Sequence, residues 1–403
     1  INIYCVAVGV LSTCLTAHAD TIPSAFSRPL EWRLGAELTA SGVPGSNSFL
    51  RGENPEGRRI TSRLAGDIRV HFSFNTSTSE GMLYRGLYQG IGLGVNTYFS
   101  NSLLGTPVSA YVYQGAPIVT FSDRLWLGYE WQFGAAFGWK HFEDKADDSG
   151  NNVINTTENN NAVSTSVTAH MGLGLKLHYS LNDRWQVSLG VTAHHNSNGN
   201  TSWPNGGVNS VGASVGIAYI LNPQEKTHVS DSELEREADR HEWLYDIVAY
   251  GAWRKRIVTV GYLEEPQLCP GRFGVLGIQF SPLLRLNRWV AVGPSLDMQW
   301  NEGAALAGYW VEGSYKEDIL FERPPFSKQL SMGLSAHAEL TMPIFSVNAG
   351  LGYDFLSPVG EKRFYQSLTL KTFVTQKLFL NVGYRLGSFK DPQNLMLGVG
   401  VRL

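Results

Sequence analysis

The stretch His194-His195-Asn196-Ser197-Asn198-Gly199 closes an alternating segment whose one face reads Trp185, Val187, Leu189, Val191, Ala193, His195. Residues two apart on a strand project from the same side, so Ser197 joins His195 on that face. A serine hydroxyl is a weak nucleophile until a base takes its proton. An imidazole beside a hydroxyl at the end of an oily stripe therefore suits acyl transfer from a membrane lipid. A third group must fix the imidazole tautomer. The next alternating run, Asn209, Val211, Ala213, Val215, Ile217 and Tyr219, offers Asn209 on its apolar face. Asn198 can donate from side chain or backbone to a developing oxyanion. Polar residues also gather at strand ends near a membrane interface, so this constellation alone leaves catalysis and ordinary interface polarity both open. His194 lies on the opposite face with Gln186, Ser188 and Thr192 and reads as an interior residue.

The elements that must position these residues follow from composition and period. Charged residues are 17% of the 403, and glycines number 43. An average soluble domain has roughly 25% charged residues and ~7% Gly. No apolar run reaches the length of a membrane-spanning helix. A Gly-rich, aromatic-rich, charge-poor chain of this kind predicts an all-β transmembrane antiparallel barrel; a soluble β-sandwich or barrel is the competing class. The alternation supports the barrel: Leu125, Leu127, Tyr129, Trp131 and Phe133 share a face opposite Glu130, Gln132 and glycines. Strands are predicted near 31–40, 66–76, 87–99, 108–119, 124–139, 164–181, 184–197 and 208–221. A second set is predicted near 245–256, 272–286, 288–300, 329–341, 344–355, 364–374, 376–387 and 394–403.

Tight turns such as Phe121-Ser122-Asp123-Arg124 alternate with long polar loops, 41–63 and 141–163. Short turns face the periplasm and long loops the exterior in such barrels, so the strand carrying His195 runs outward. Residues 20–222 form the first half and 245–403 the second, joined by a polar linker over 223–244 that carries a short acidic helix. Trp185–Val191 resembles Leu378–Tyr384 as a weak internal repeat. In that second copy Arg385-Leu386-Gly387-Ser388 takes the place of the site, which makes the second half a degenerate repeat. About sixteen strands can close as one barrel or as two of eight. General frequency favours one; the linker and the repeat favour two.

Val6–Leu15 is mostly apolar and Ala17-His18-Ala19 is a small-x-small cleavage site, so residues 1–19 read as an export signal. Cys5 and Cys14 leave with it, and Cys269 alone builds no disulfide framework. A net charge of −3 predicts no nucleic-acid partner. No cofactor and no metal site is expected. Gly212-Ala213-Ser214-Val215-Gly216 matches a nucleophile-elbow pattern, but that motif needs a strand–turn–helix setting and here lies inside an alternating strand. Asp144, Asp147 and Asp148 read as a solvated loop.

His195-x-Ser197-Asn198, followed by Pro204-Asn205-Gly206-Gly207-Val208-Asn209, resembles the lipid A 3-O-deacylase (PagL) and acyloxyacyl-hydrolase-like family of outer-membrane barrels. Tyr88-Gln89-Gly90-Ile91-Gly92 and Tyr113-Gln114-Gly115-Ala116-Pro117 add to the likeness, which covers roughly 85–221; the second half adds nothing specific. The resemblance implies Ser197 as nucleophile, His195 as general base and Asn198 as an oxyanion contributor. Its third member is a glutamate fourteen residues after the histidine, where this chain has Asn209. An amide can hold the tautomer but cannot neutralise the imidazolium. The expectation is an esterase of the cell outer membrane that removes an acyl chain from lipid A (lipopolysaccharide) in the outer leaflet through an acyl-serine intermediate. A non-enzymatic channel or structural barrel and an outer-membrane phospholipase are the alternatives, and homodimerisation is open.

Overall fold

A computed structural model describes residues 30–74, 84, 86–142, 160–223, 241–260, 265–269, 271–287, 289–304, 306, 310–312, 320–321, 323–342, 344–358, 360–389 and 391–403. The proposed export signal, Asp144, Asp147, Asp148 and most of the linker fall outside these. The alternation closes on itself twice. The first closed barrel contains β1 (Leu30–Gly42), β2 (Ser62–Phe74), β3 (Tyr88–Thr97), β4 (Gly105–Thr120), β5 (Leu125–Trp139), β6 (Val167–Ser180), β7 (Trp185–Ser197) and β8 (Val208–Ile220). β8 returns to β1, pairing Val211 with Gly42 and Ile220 with Arg33.

The second half begins with β9 (Trp243–Arg254) and a hairpin of β10 (Ile257–Val260) and β11 (Glu265–Leu268). β12 (Phe273–Arg285), β13 (Val290–Asn301), the short pair β14 (Trp310–Glu312) and β15 (Leu320–Phe321), and β16 (Leu330–Leu340) follow. β17 (Phe345–Leu356), β18 (Phe364–Phe373), β19 (Leu378–Gly387) and β20 (Asp391–Arg402) complete it. β9, β12, β13 and β16–β20 close a second eight-stranded barrel. The choice between one barrel and two is thus settled as two. The two short pairs extend loops and have too few residues to show an alternating pattern.

Outward positions are apolar: Leu173, Leu189, Val191 and Val211 are all exposed. Inward positions are polar and interlocked. In the first barrel Lys176 Nζ donates to Glu37 Oε2 at 2.5 Å and to Glu130 Oε1 at 2.8 Å. Arg69 pairs with the same two carboxylates. The second barrel builds the same arrangement from other strands. Lys371 Nζ donates to Asp246 at 2.7 Å and Glu339 at 2.5 Å, and Arg402 binds both. Two acids balance two bases in each of these networks. Free space beside the first network is about 30 Å³, and about 20 Å³ lies near Arg385 and Asp354 in the second barrel. Cavities of that size hold a water. Eight-stranded barrels of this kind are filled by their side chains, which weighs against a channel.

The barrels lie side by side along a seam. At the end carrying the tight turns, Phe72, Phe74 and Leu87 share an apolar cluster with Met342, Ile344, Phe345 and Leu370. Tyr84 meets Trp289 edge-on at 5.3 Å and Trp131 meets Phe345 at 6.1 Å. Two outward glutamines are buried there: Gln89 Nε2 donates to Gln114 Oε1 at 2.7 Å, and Gln114 Nε2 to Met342 Sδ at 3.1 Å. At the opposite end Lys255 N donates to Thr201 O at 3.0 Å. Leu395 there occupies the space a side chain at Gly199 (φ +62°) would need.

Candidate active site

β7 and β8 place His195 directly opposite Asn209. His195 Nδ1–H donates to Asn209 Oδ1 at 2.7 Å. The amide oxygen can only accept, so a proton sits on Nδ1, and in the neutral ring Nε2 keeps its lone pair. The pair occupies the outward face, half-buried near the exterior end of both strands. The neighbouring residues turn inward as expected. His194 lies parallel to His170 at 5.4 Å and contacts Arg63 Nη1 at 3.3 Å, and Asn196 Oδ1 meets His170 Nδ1 at 3.0 Å. Ser214, in the discounted elbow pattern, is buried on the lumen side of β8.

Ser197 ends β7 and is buried. No hydrogen bond joins its hydroxyl to His195 among the described residues. Gly207 lies beside both residues. A Cβ there would stand 3.1 Å from His195 Cε1 and 3.7 Å from Ser197 Cβ, and its φ is +67°. Gly207 is fixed from two loops: its N–H donates to Ala162 O at 2.9 Å and its carbonyl accepts from Asn47 Nδ2 at 2.8 Å. Gly207→Ala would both strain the backbone and press on the imidazole. Because small misplacements at a reacting centre are costly, ester hydrolysis should fall by about tenfold or more. Electrophoretic heat-modifiability would check that the barrels remain closed.

Asn198 has a different set of contacts from those a free oxyanion donor would show. Its Nδ2 donates to Ser164 Oγ at 2.6 Å and Ser202 O at 2.7 Å, and its N–H donates to Asn205 Oδ1 at 3.1 Å. Its Oδ1 accepts from Asn200 N at 2.9 Å. Asn198 thereby ties the turn after Ser197 to itself and to the loop before β6.

The exterior loops are more than polar connections. Phe49, Leu50, Ile60, Tyr98, Leu103, Leu104, Ala162 and Val163 form a buried core with Trp139 and Val208. This cap roofs the first barrel and anchors the 198–207 turn through Asn47 and Asn161; Gly206 N–H donates to Asn161 O at 3.1 Å. Reading 41–63 and 141–163 as polar loops missed it. The signal was present in the apolar pairs Phe49-Leu50, Leu103-Leu104 and Ala162-Val163. One further correction concerns the second barrel. β7 and β19 are the seventh strands of their barrels, but Arg385 does not stand at an outward position matching His195. Its guanidinium turns into the lumen and bonds Asp354 Oδ2 at 2.5 Å.

His195 and Asn209 line a cavity of about 560 Å³ between the barrels. Phe133, Met171 and Leu173 supply one wall, and Val347, Leu368 and Leu370 of the second barrel supply the other. Ser197 is not part of its lining and stands just beyond its exterior end.

Comparison with known proteins bears on both barrels. A family model described as lipid A 3-O-deacylase (PagL) matches residues 54–218. A second, described as acyloxyacyl hydrolase, C-terminal domain, matches residues 243–403. The second half is therefore specific after all, contrary to the sequence reading. No curated protein matches the chain. Solved structures similar to it include the siderophore receptor PirA from Acinetobacter baumannii, at 8% identity and a TM-score of 0.23, covering 89% of this chain and 68% of that one. The toluene transporter TbuX of Ralstonia pickettii is similar at 8% identity and a TM-score of 0.19, over 93% of this chain and 88% of that one. CdiB from Acinetobacter baumannii is similar at 9% identity and a TM-score of 0.18, over 93% and 60%. With both barrels matched by its models, the chain belongs to the lipid A 3-O-deacylase (PagL) and acyloxyacyl hydrolase family.

Proposed function

We propose that the protein is a serine esterase of the outer membrane that removes an ester-linked acyl chain from lipid A. The observation that carries this reading is the His195–Asn209 hydrogen bond on the outward face, beside Ser197 and at the edge of an apolar cavity. His195 Nε2 takes the Ser197 proton as Oγ attacks the ester carbonyl. The tetrahedral intermediate collapses, the C–O bond to the lipid breaks, and the leaving alkoxide receives that proton from His195. Water, activated by the same nitrogen, then hydrolyses the acyl-serine and frees the fatty acid. The Ser197 hydroxyl must swing toward Nε2 on substrate binding; such bonds are often long or unformed before substrate arrives. Asn198 supports the oxyanion side by holding the turn after Ser197, and donates directly only if it releases Ser164, Ser202 or Asn205.

Asn209 holds the tautomer but leaves the imidazolium without a counter-charge. Asn209→Ala should cost activity because the ring loses its orientation. Asn209→Glu should raise kcat, since a carboxylate stabilises the protonated ring. Steady-state hydrolysis of a soluble ester would decide, and a fall with Glu would mean that the amide is fitted to this site.

The reading as a whole is tested by mass spectrometry of lipid A from cells expressing wild type, Ser197→Ala and His195→Ala. Loss of one acyl chain with wild type alone is the expected result. Lipid A unchanged by all three would overturn it, and intact lipid A with altered phospholipids would favour the phospholipase.

A further inference from the structure

We infer that the second barrel forms one wall of the acyl-chain site, so that chain-length preference is set between two barrels. This rests on the esterase reading for its chemistry, but the cavity stands on geometry alone.

The cavity is a partly open space of about 560 Å³, within the roughly 300–1,000 Å³ of small-ligand pockets. At roughly 30 Å³ for a water-sized group, it has room for a chain of more than a dozen methylenes. His195 and Asn209 stand on the first barrel's side, whereas the facing wall is Val347, Leu368 and Leu370 with Thr369 as its polar residue. A carbonyl held near His195 would thus send its alkyl tail toward β17 and β18. The seam is closed at both ends. The Phe72–Phe345 cluster seals it at the tight-turn end, and Lys255 and Leu395 meet the 198–201 turn at the exterior end. A chain seated here lies between two protein surfaces, not along one barrel facing open bilayer. A methylene gains by leaving water, but a chain arriving from lipid gains only by fit. The cavity therefore acts as a length gauge and adds little raw affinity.

Leu368 is half exposed to this space, so Leu368→Trp would shorten the cavity without disturbing a packed core. Ile278, equally exposed on β12, well away from the cavity lining, serves as the control. The full chain would be assayed with palmitoyl and butyryl esters of one alcohol. Leu368→Trp should lower the palmitoyl-to-butyryl rate ratio by about tenfold, as expected for a chain excluded from its pocket. Ile278→Trp should leave the ratio as in wild type. In parallel, palmitic acid bearing a terminal diazirine would be photolysed on the purified protein. Label concentrated on β17–β18 and on the Phe133 and Leu173 segments, and lost in Leu368→Trp, supports the inference even if no ester is cleaved; in that case the hydrolysis reading fails alone. An unchanged ratio, or label spread around both barrel perimeters alike, overturns it.

Discussion

Ser197→Ala is expected to lower ester hydrolysis by about 10³-fold or more, and His195→Ala by a similar factor. In the proposed mechanism both belong to one proton-transfer unit, and removing either member of such a unit costs nearly as much as removing both. The double variant should therefore be no worse than either single one. That non-additivity is the sharper readout, because a merely structural serine and histidine would give losses that multiply. The barrels should be unaffected. Ser197 ends its strand, and His195 makes one side-chain bond across to Asn209. Rates on a soluble ester, measured beside electrophoretic heat-modifiability, separate lost chemistry from lost folding.

The largest stability effect is expected in the lumen. Lys176 is almost wholly buried between Glu37 and Glu130. Lys176→Met leaves two carboxylates sharing the single guanidinium of Arg69, with one negative charge uncompensated. Breaking a buried ion pair from one side costs about 3–5 kcal/mol. The urea midpoint of the refolded protein should fall accordingly. Adding Glu37→Gln restores neutrality and should recover part of the loss. A double variant as unstable as the single one would mean that Lys176 acts through packing and not through charge. Lys371, between Asp246 and Glu339, makes the parallel experiment available in the other barrel.

All sixteen barrel strands were visible in the sequence, because lipid outside and a polar lumen inside impose a period of two on every strand. The outward placement of His195 and Asn209 followed from that period. Their direct pairing is set by the β7–β8 register across the 198–207 connection and was not legible in the spacing. Closure was not legible. Whether β8 returns to β1 or continues into β9 depends on contacts between residues nearly two hundred positions apart, and alternation is a local pattern. Arg385 was set against His195 three positions out of step: with Trp185 matched to Leu378, Arg385 answers to Thr192, and both face the lumen. The exterior cap went unread because its apolar residues are scattered through loops without periodicity. Asn198 was read for its chemistry, and its neighbours Ser164 and Ser202 could not be known from spacing.

Gln89 and Gln114 give the seam a consequence for how this protein can be divided. The first barrel is hydrogen-bonded all the way round, and by topology it is a finished object. Its outer surface is not. These two amides bond each other across β3 and β4, and Gln114 Nε2 finds its partner, Met342, only while the second barrel covers them. Facing hydrocarbon, the Gln114 Nε2–H would lose that partner, and unanswered polar groups are costly there. A gene cut after β8 would encode a closed cylinder with a wet scar on its side. In this chain closure and independence are separate properties, and the residues that carry the difference sit on the outside of the barrel.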